Sequence, residues 1–318
     1  MAAVLRSPTT IVGLMIIAII AVGASASPNF LSATYLLQQL QISSFLGVVA
    51  LGALGVIVLG QIDLSIPWTM TSAAIAATSV VGVGAAAQEV WSTELAMPLG
   101  LAVGAFIGLV NGIGVALLRV PAMIWTLGIN AVILGLCIFI TGGFAPPGEA
   151  SPLMRSLAVG RTLGLPNALY VWLGVSAVAA FLLTRTYIGR AIVAIGNGER
   201  AAYLSGIATQ GVVILVFVFA GMCSALGGLL LAGYANQAYQ TMGDPYLLPV
   251  IAAIVIGGTS IQGGSGSVTG MLLGVVFMTL LTSVLSVLQM PDPHRQIIYG
   301  AVILVTLLLY GRFNRPIT

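Results

Sequence analysis

Lysine is absent from the 318 residues, so apart from one histidine all ten basic side chains are arginines. A phosphate loop of the form G-x-x-x-x-G-K-[ST] is therefore excluded, and with it nucleotide hydrolysis of that kind by this chain. Schiff-base and lysine-nucleophile chemistry is excluded for the same reason. Charge of either sign is scarce, at 5% of residues against about 25% in soluble domains. The two cysteines, Cys137 and Cys223, fall inside apolar stretches and read as small packing residues rather than as a disulfide or a metal pair. The single histidine, His294, sits in a polar turn and reads as a solvated loop residue. A net charge of +3 in so apolar a chain gives no reason to expect nucleic acid as a partner.

What is present is apolar. Hydrophobic residues make up 59% and the mean hydropathy is +1.14. Such a chain cannot hide its apolar surface from water, so it is read as an integral membrane protein in contact with lipid. The apolar runs are too long for barrel strands of about ten residues, which makes the class all-α. Ten candidate spans lie near residues 11–23, 42–60, 64–87, 95–118, 121–141, 167–183, 211–234, 247–261, 267–288 and 296–310. The first is followed by Ala24-Ser25-Ala26, a signal-peptidase pattern, but with so many spans behind it we read it as retained. The eighth is short and is expected to be tilted, broken or re-entrant. The fold expected is a polytopic bundle of about ten transmembrane helices, residues 1–318 forming one domain. Ten spans put Arg6, Arg119, Arg185, Arg190, Arg200, Arg312 and Arg315 on one side, and Arg155, Arg161 and Arg295 on the other. The excess of arginine predicts that both termini face the cytoplasm. Glycines recur every fourth residue at Gly100, Gly104, Gly108 and Gly112 and again at Gly266, Gly270 and Gly274, a spacing that lets helix backbones pack closely in lipid.

Charge collects in one hydrophilic stretch, residues 186–210, with Arg185 at its edge and Arg190, Glu199 and Arg200 inside it. Gly196-Asn197-Gly198 is a turn signal. Glu199 then falls in the first turn of a short helix, Tyr203, Leu204 and Ile207 share a face, and Gly206 can end it. We read this loop as a cytoplasmic docking element for a separate ATPase; the competing reading lays it on the lipid surface.

Within the spans ionisable groups are nearly absent, which argues against an ion-coupled carrier built on buried carboxylates and favours a neutral polar solute. Candidate path-lining groups are Asp63, Ser65, Asn111, Trp125, Thr126, Asn130, Thr259 and Gln262, with Asn236 and Gln237 near the outer face. The plain alternative for each is an inter-helix hydrogen bond. Asp63 or Ser65 can cap the helix that follows, with Pro67 tolerated in its first turn.

Four stretches resemble a known family. G-Q-I-D-L-S-I at residues 60–66 is similar to its G-I-D-L-S-V-G, and V-P-A-M-I-W-T-L-G at 120–128 to its V-x-A-F-I-x-T-L. I-G-N-G-E-R-A-A-Y-L-S-G-I at 195–207 is similar to its G-G-N-x-x-A-A-x-L-S-G-I, and I-A-A-I-V-I-G-G-T-S-I-Q-G-G-S-G-S-V-T-G at 251–270 to its I-A-A-V-V-I-G-G-T-S-L-x-G-G-x-G. The family is that of the ribose-type permease subunits of bacterial ABC sugar importers, which includes autoinducer-2 and galactofuranose permeases. Pro67, the order Asn197-Gly198 and the turn Q-M-P-D-P-H-R at 289–295 depart from its pattern. The resemblance implies an inner-membrane permease with no cofactor of its own. Its expected partners are a second permease copy or a sibling, a cytosolic ABC ATPase that holds ATP and magnesium, and a periplasmic sugar-binding protein. It also implies a cytoplasmic coupling helix at residues 196–207, carried here by Gly196, Asn197, Glu199, Arg200, Ala201, Ala202, Leu204, Ser205, Gly206 and Ile207. His294, in the outer turn, could then meet the binding protein. A self-sufficient secondary transporter or channel, and an ABC permease for branched-chain amino acids, are the alternatives.

Overall fold

The computed structural model of the chain describes residues 8–81, 93–144, 146 and 148–313. Arg6, Glu89, Arg315 and the end of the third expected span lie outside them. The described residues form thirteen α-helices: α1 (Pro8–Ala26), α2 (Ala33–Val58), α3 (Ile66–Ser79), α4 (Ala96–Ala116), α5 (Ala122–Thr141), α6 (Pro152–Val159), α7 (Asn167–Arg185), α8 (Tyr187–Asn197), α9 (Glu199–Leu204), α10 (Thr209–Ala235), α11 (Leu247–Ile256), α12 (Val268–Val287) and α13 (Asp292–Phe313). A two-residue hairpin, β1 (Arg161–Thr162) against β2 (Leu165–Pro166), is the one sheet among them.

Seven helices are long and apolar enough to cross a membrane: α1, α2, α4, α5, α7, α10 and α12. Helices α3, α11 and α13 stand at the other three expected spans. α3 has 14 residues and α11 has 10. At 1.5 Å per residue they reach about 21 and 15 Å, less than the roughly 30 Å of a hydrocarbon core. The polar segment 142–166 holds α6 and the hairpin, which composition did not suggest. Likewise α8 takes up much of the charged stretch that was read as loop and turn.

α10 is the central post, packed against α4, α2 and α3. The glycine stripe of α4 makes this possible. Gly104 lies on the backbone of Gly221, Gly108 on that of Phe217, and Gly112 on that of Ile214; a Cβ at any of them has no room. In the second stripe Gly270 meets the Gly257 carbonyl and Gly274 that of Ala253, holding α12 to the end of α11. α2 threads the middle, with nearly every residue from Ser43 to Val58 buried. α5 is largely exposed along its length, Phe139 at 85%, as suits a helix facing acyl chains or another subunit.

The arginines sort to two ends. Arg119 lies in the α4–α5 turn, Arg185 ends α7, and Arg190 and Arg200 stand on α8 and α9. All are at the end where α2 finishes, because α8 contacts Val58 there. Arg155, Arg161 and Arg295, on α6, β1 and the start of α13, lie at the other. α1 runs alongside α12, its far end meeting Leu280 and Val284 through Phe30. Tyr299 of α13 meets Thr282 at 2.8 Å. The described chain therefore starts and finishes at the arginine-rich end.

The close packing of α4 on α10 is testable with one matched pair. Gly108→Ala forces a methyl against the Phe217 carbonyl and is expected to cost about 1–3 kcal/mol. Gly128→Ala has no atom within 4 Å and is expected to gain about 0.5–1 kcal/mol from helix propensity. Thermal unfolding in detergent should order the proteins Gly108→Ala, wild type, Gly128→Ala from least to most stable.

Candidate transport site

Between α2 and α3 the chain is not helical. Gly60 lies at the arginine-rich end beside the backbone of Gln262 and Gly263. Five residues on, Ser65 meets Asn111, which is itself five residues, about 7 Å, inside the end of α4. Residues 61–65 therefore climb into the bundle before α3 begins, and their backbone needs partners that are not water. It finds them. Asp63 Oδ1 accepts from the Ser65 amide at 2.8 Å and from the Ser65 hydroxyl at 2.6 Å. The Leu64 amide donates to Thr126 Oγ1 at 2.9 Å, and the Trp68 amide to Asn130 Oδ1 at 3.4 Å. Asn111 Nδ2 donates to the Ser65 hydroxyl at 2.7 Å. The start of α3, with Pro67 in its first turn, is thus clamped by α4 and α5. The side chain of Ser65, at the capping position, makes no cap bond; the carboxylate of Asp63 takes the Ser65 amide instead.

A second segment outside the α-helices, ending in a 3₁₀ turn at Asp244–Tyr246, enters from the opposite end. After α10, residues 236–246 cross to α5, where Gln240 Nε2 donates to Thr141 Oγ1 at 2.7 Å. They then turn inward. The Gly243 amide donates to Thr71 Oγ1 at 3.2 Å, and Gly243 lies on the Pro67 backbone. Thr71 is eight residues, about 12 Å, from the far end of α3. Ala238, Met242 and Gly243 are buried. α11 begins directly after this segment. α3 and α11 thus start near one another inside the bundle and leave toward opposite ends, the arrangement of discontinuous helices around a solute path.

At the arginine-rich end three backbones meet. Gly196, in the last turn of α8, lies on the Val58 carbonyl and the Gly264 amide. Asn197 Nδ2 donates to the Gly264 carbonyl at 3.3 Å, and the Gly264 amide to the Val58 carbonyl at 2.9 Å. Gly263 completes the contact against Gly60 and the Gly196 carbonyl. α8 and α9 are therefore joined both to the segment that leads into α3 and to the one that follows α11. α9 carries Glu199 in its first turn, and Gly206 follows it in the left-handed region at φ +83°. Ala202 is buried, whereas Tyr203 and Leu204 stand out at 68% and 78% exposed. Among the described residues Arg185, Arg190, Glu199 and Arg200 form no ion pair; the one present joins Arg295 to Asp292.

The structure brings six of the eight candidate path residues to one place. Asp63, Ser65, Asn111, Thr126 and Asn130 bond to the start of α3 or to one another, and Trp125 lies beside them with its indole on Gly114. In this conformation Asp63, Ser65, Asn111 and Thr126 are buried. Asn111 Oδ1 has no hydrogen-bond partner among the described residues. Thr259 and Gln262 are elsewhere, in the loop at the glycine junction. Sequence reasoning missed Thr71 and Gly243, which join distant segments, and took Gly196 for part of a turn when it serves a backbone contact.

Half-helices paired inside an apolar bundle, with an arginine-bearing helix pair at one end, define a membrane transport subunit. The chain belongs to the family whose model is described as "Branched-chain amino acid transport system / permease component", which matches residues 35–307. It is 33% identical over 299 residues to the ribose import permease protein of Haemophilus influenzae, covering 92% of this chain and 90% of that protein. It is 33% identical over 305 residues to the autoinducer 2 import system permease protein of an Enterobacter species, covering 96% and 87%. With the L-arabinose ABC transporter permease protein of Azospirillum brasilense it shares 29% over 293 residues, covering 91% and 83%. No solved structure matches the chain.

Asp63 separates a capping role from one that needs charge. Asp63→Asn keeps an acceptor for both Ser65 donors and is expected to leave thermal stability near wild type. Asp63→Ala strands two buried donors, at about 1–3 kcal/mol each, and should lower the unfolding temperature clearly. Loss of transport in a stable Asp63→Asn protein would show that the charge itself is used.

Proposed function

We propose that this chain is the permease subunit of an ATP-driven sugar importer in a bacterial inner membrane, working as a dimer with a second copy or a sibling. A cytosolic ATPase binds and hydrolyses ATP, a periplasmic binding protein delivers the solute, and this chain opens alternately to either side. The arginine-rich end faces the cytoplasm, and α8 with α9 is the docking and coupling element. The observation that carries this reading is the glycine junction: a helix pair with two exposed apolar side chains, Tyr203 and Leu204, touches at its base the segments leading to both half-helices. ATP-driven closure of the partner moves α9, α9 moves α8, and Gly196 and Asn197 pass the displacement to Gly60, Gly263 and Gly264. Coupling of this kind requires contacts that differ between the two states.

A sugar is favoured by what the relatives' names specify, ribose and L-arabinose among them. The family description speaks for branched-chain amino acids. A zwitterion calls for groups of both signs along its path. Of the side chains gathered at α3 the one with a charge is Asp63, and its Oδ1 is engaged by Ser65. The experiment is uptake of radiolabelled D-ribose, L-arabinose and L-leucine into proteoliposomes that hold the permease with its ATPase and binding protein. ATP-dependent accumulation of a pentose and none of leucine is expected; the reverse, or uptake without the ATPase, would overturn the reading.

Coupling is tested by Glu199→Arg, which reverses the charge in the first turn of α9, and by Gly206→Trp. The latter has open space around it but must hold φ +83°. Each is expected to lower ATP-dependent uptake by about tenfold, equivalent to about 1.4 kcal/mol, with ATP hydrolysis by the reconstituted complex continuing.

A further inference from the structure

The stretch between α5 and α7 folds into a firmly held cap at the end opposite α8 and α9. Its helix, α6, lies over α10 and α2, the two most central helices. The backbone at Met154 rests on Gly233, near the end of α10, and the Ala158 carbonyl accepts from Gln41 Nε2 of α2 at 2.8 Å. Asn167 pins the hairpin that follows. Its Nδ2 donates to the Ser156 carbonyl at 2.8 Å, its amide to the Gly160 carbonyl at 2.9 Å, and its Oδ1 accepts from Thr162 Oγ1 at 2.6 Å. The Tyr170 hydroxyl donates to the Thr162 carbonyl at 3.0 Å. Just before α6 the Ala150 amide donates to the Asn236 carbonyl at 3.0 Å, which ties the cap to the segment that turns inward at Gly243.

The tip of the hairpin is at odds with its own turn. Leu163 and Gly164 both have positive φ, +53° and +81°, a two-residue turn that asparagine followed by glycine fills without strain. A leucine in that region sets its Cβ against the following carbonyl. The fold gives Leu163 nothing in exchange, since it stands 93% exposed. Leu153 and Val159 of α6 are exposed as well. Arg155 of α6 and Arg161 of β1 are exposed on the same cap, and among the described residues neither forms an ion pair. No acidic residue occurs between Glu149 and Glu199, so the cap carries positive charge alone.

We propose that α6 and the hairpin tip are the docking surface for the water-soluble protein that delivers solute to this chain, which meets them with an acidic patch. Leu163 is the apolar anchor, and arginine is enriched where protein surfaces meet. Exposed arginines with no carboxylate of their own steer an acidic partner and fix its register. Lipid is the other environment that suits an exposed leucine, and position speaks against it. Because α6 covers the two central helices, its free side faces out along the bundle rather than sideways toward acyl chains. Residues 150–170 hold no tryptophan, and the Tyr170 hydroxyl is turned back onto the hairpin, so aromatic anchoring at a lipid boundary is missing. A protein seated on the cap stands beside the contact of Ala150 with Asn236, where the inward-turning segment begins.

This surface rests on the importer reading, and the test tells their failures apart. The permease with its ATPase is immobilised in lipid nanodiscs. The binding protein that supports uptake in proteoliposomes is passed over it at low and at high salt. Leu163→Asn relieves the turn while removing the anchor. It is expected to keep the unfolding temperature at or above that of wild type and to weaken docking at least about tenfold, the scale of one buried leucine. Arg155→Glu combined with Arg161→Glu is expected to weaken docking about tenfold at low salt and to abolish most of its salt dependence. An environment-sensitive fluorophore on Leu163→Cys is expected to report water in the nanodisc alone and to shift to the blue when the binding protein is added. Wild-type docking by Leu163→Asn, or a label already blue before the binding protein is added, as a tip buried in lipid would give, overturns the surface. Either result leaves the importer reading standing if uptake by wild type still requires the binding protein. Uptake that proceeds without the binding protein overturns the importer reading and the surface with it.

Discussion

In the proposed transport cycle, motion passing from α8 and α9 into the bundle has to cross a place where three stretches of backbone touch. Gly60 follows α2, Gly196 is in the last turn of α8, and Gly263 and Gly264 lie in the loop before α12. Gly60, Gly263 and Gly264 all have positive φ, but Gly196 is helical. Its reason for being glycine is distance, since a Cβ would run into the Val58 carbonyl and the Gly264 amide. Backbone contact of this kind has little compliance. Side chains can hop between rotamers and absorb a small displacement, whereas peptide units in van der Waals contact and hydrogen-bonded to one another transmit it.

The second constraint comes from the solvent. Inside a bilayer a non-helical backbone is tolerated only where protein or trapped water satisfies it. The two interruptions of the bundle, residues 61–65 and 236–246, obey this by different means. The first enlists side chains from α4 and α5, with Asp63 turned back onto its own segment at Ser65. The second is held by Thr141 and Thr71 and by its own buried apolar residues, and it leaves the Asn236 and Gln240 acceptors unmet. Their satisfaction therefore differs: among side chains the inner clamp on α3 leaves Asn111 Oδ1 unpartnered, while the outer segment leaves two acceptors. In the proposed importer, a path that releases its solute toward the arginine-rich end would gain from that order, because the tighter polar network is the one nearer that end.

The broad architecture was legible in the composition. Apolar runs of span length marked every long helix, and the glycine stripes at 100–112 and 266–274 marked the close contacts of α4 with α10 and of α12 with α11. Residue type also marked the helix carrying Glu199 and its stop at Gly206, since charge and glycine act locally there. The places where reading failed share a cause. Gly196-Asn197-Gly198 has the composition of a turn, yet Gly196 and Asn197 are helical because a neighbour 67 residues away in the chain, Gly264, requires a close approach. The shortness of α3 could not be read from an apolar run that continues past it. The polar residues inside the spans were recognisable as a set, but the sharing of Ser65 between Asp63 and Asn111 depends on how α3, α4 and the climbing segment are placed in space. The inward turn at Gly243 depends on Thr71, 172 residues earlier, and no local pattern announces it.

If α8 and α9 couple as proposed, the same contacts explain why one such element would suffice for two half-helices. A lever touching only the segment before α3 would tilt that helix against α11 and strain the contact of Pro67 with Gly243. A lever touching only the loop after α11 would do the converse. Because Gly196 and Asn197 meet both, a shift of α8 carries the two approaches together and preserves the meeting point between them. The freedom that remains is for the pair to move as a unit against the post formed by α10 and α4. That boundary holds Gly100 of α4, which lies on the Ala73 carbonyl, and Gly228 of α10, which lies on the Met70 backbone, so that no side chain at either has to be dragged through a neighbour's groove. Close packing without interlocking is what lets such a surface hold two arrangements of similar energy.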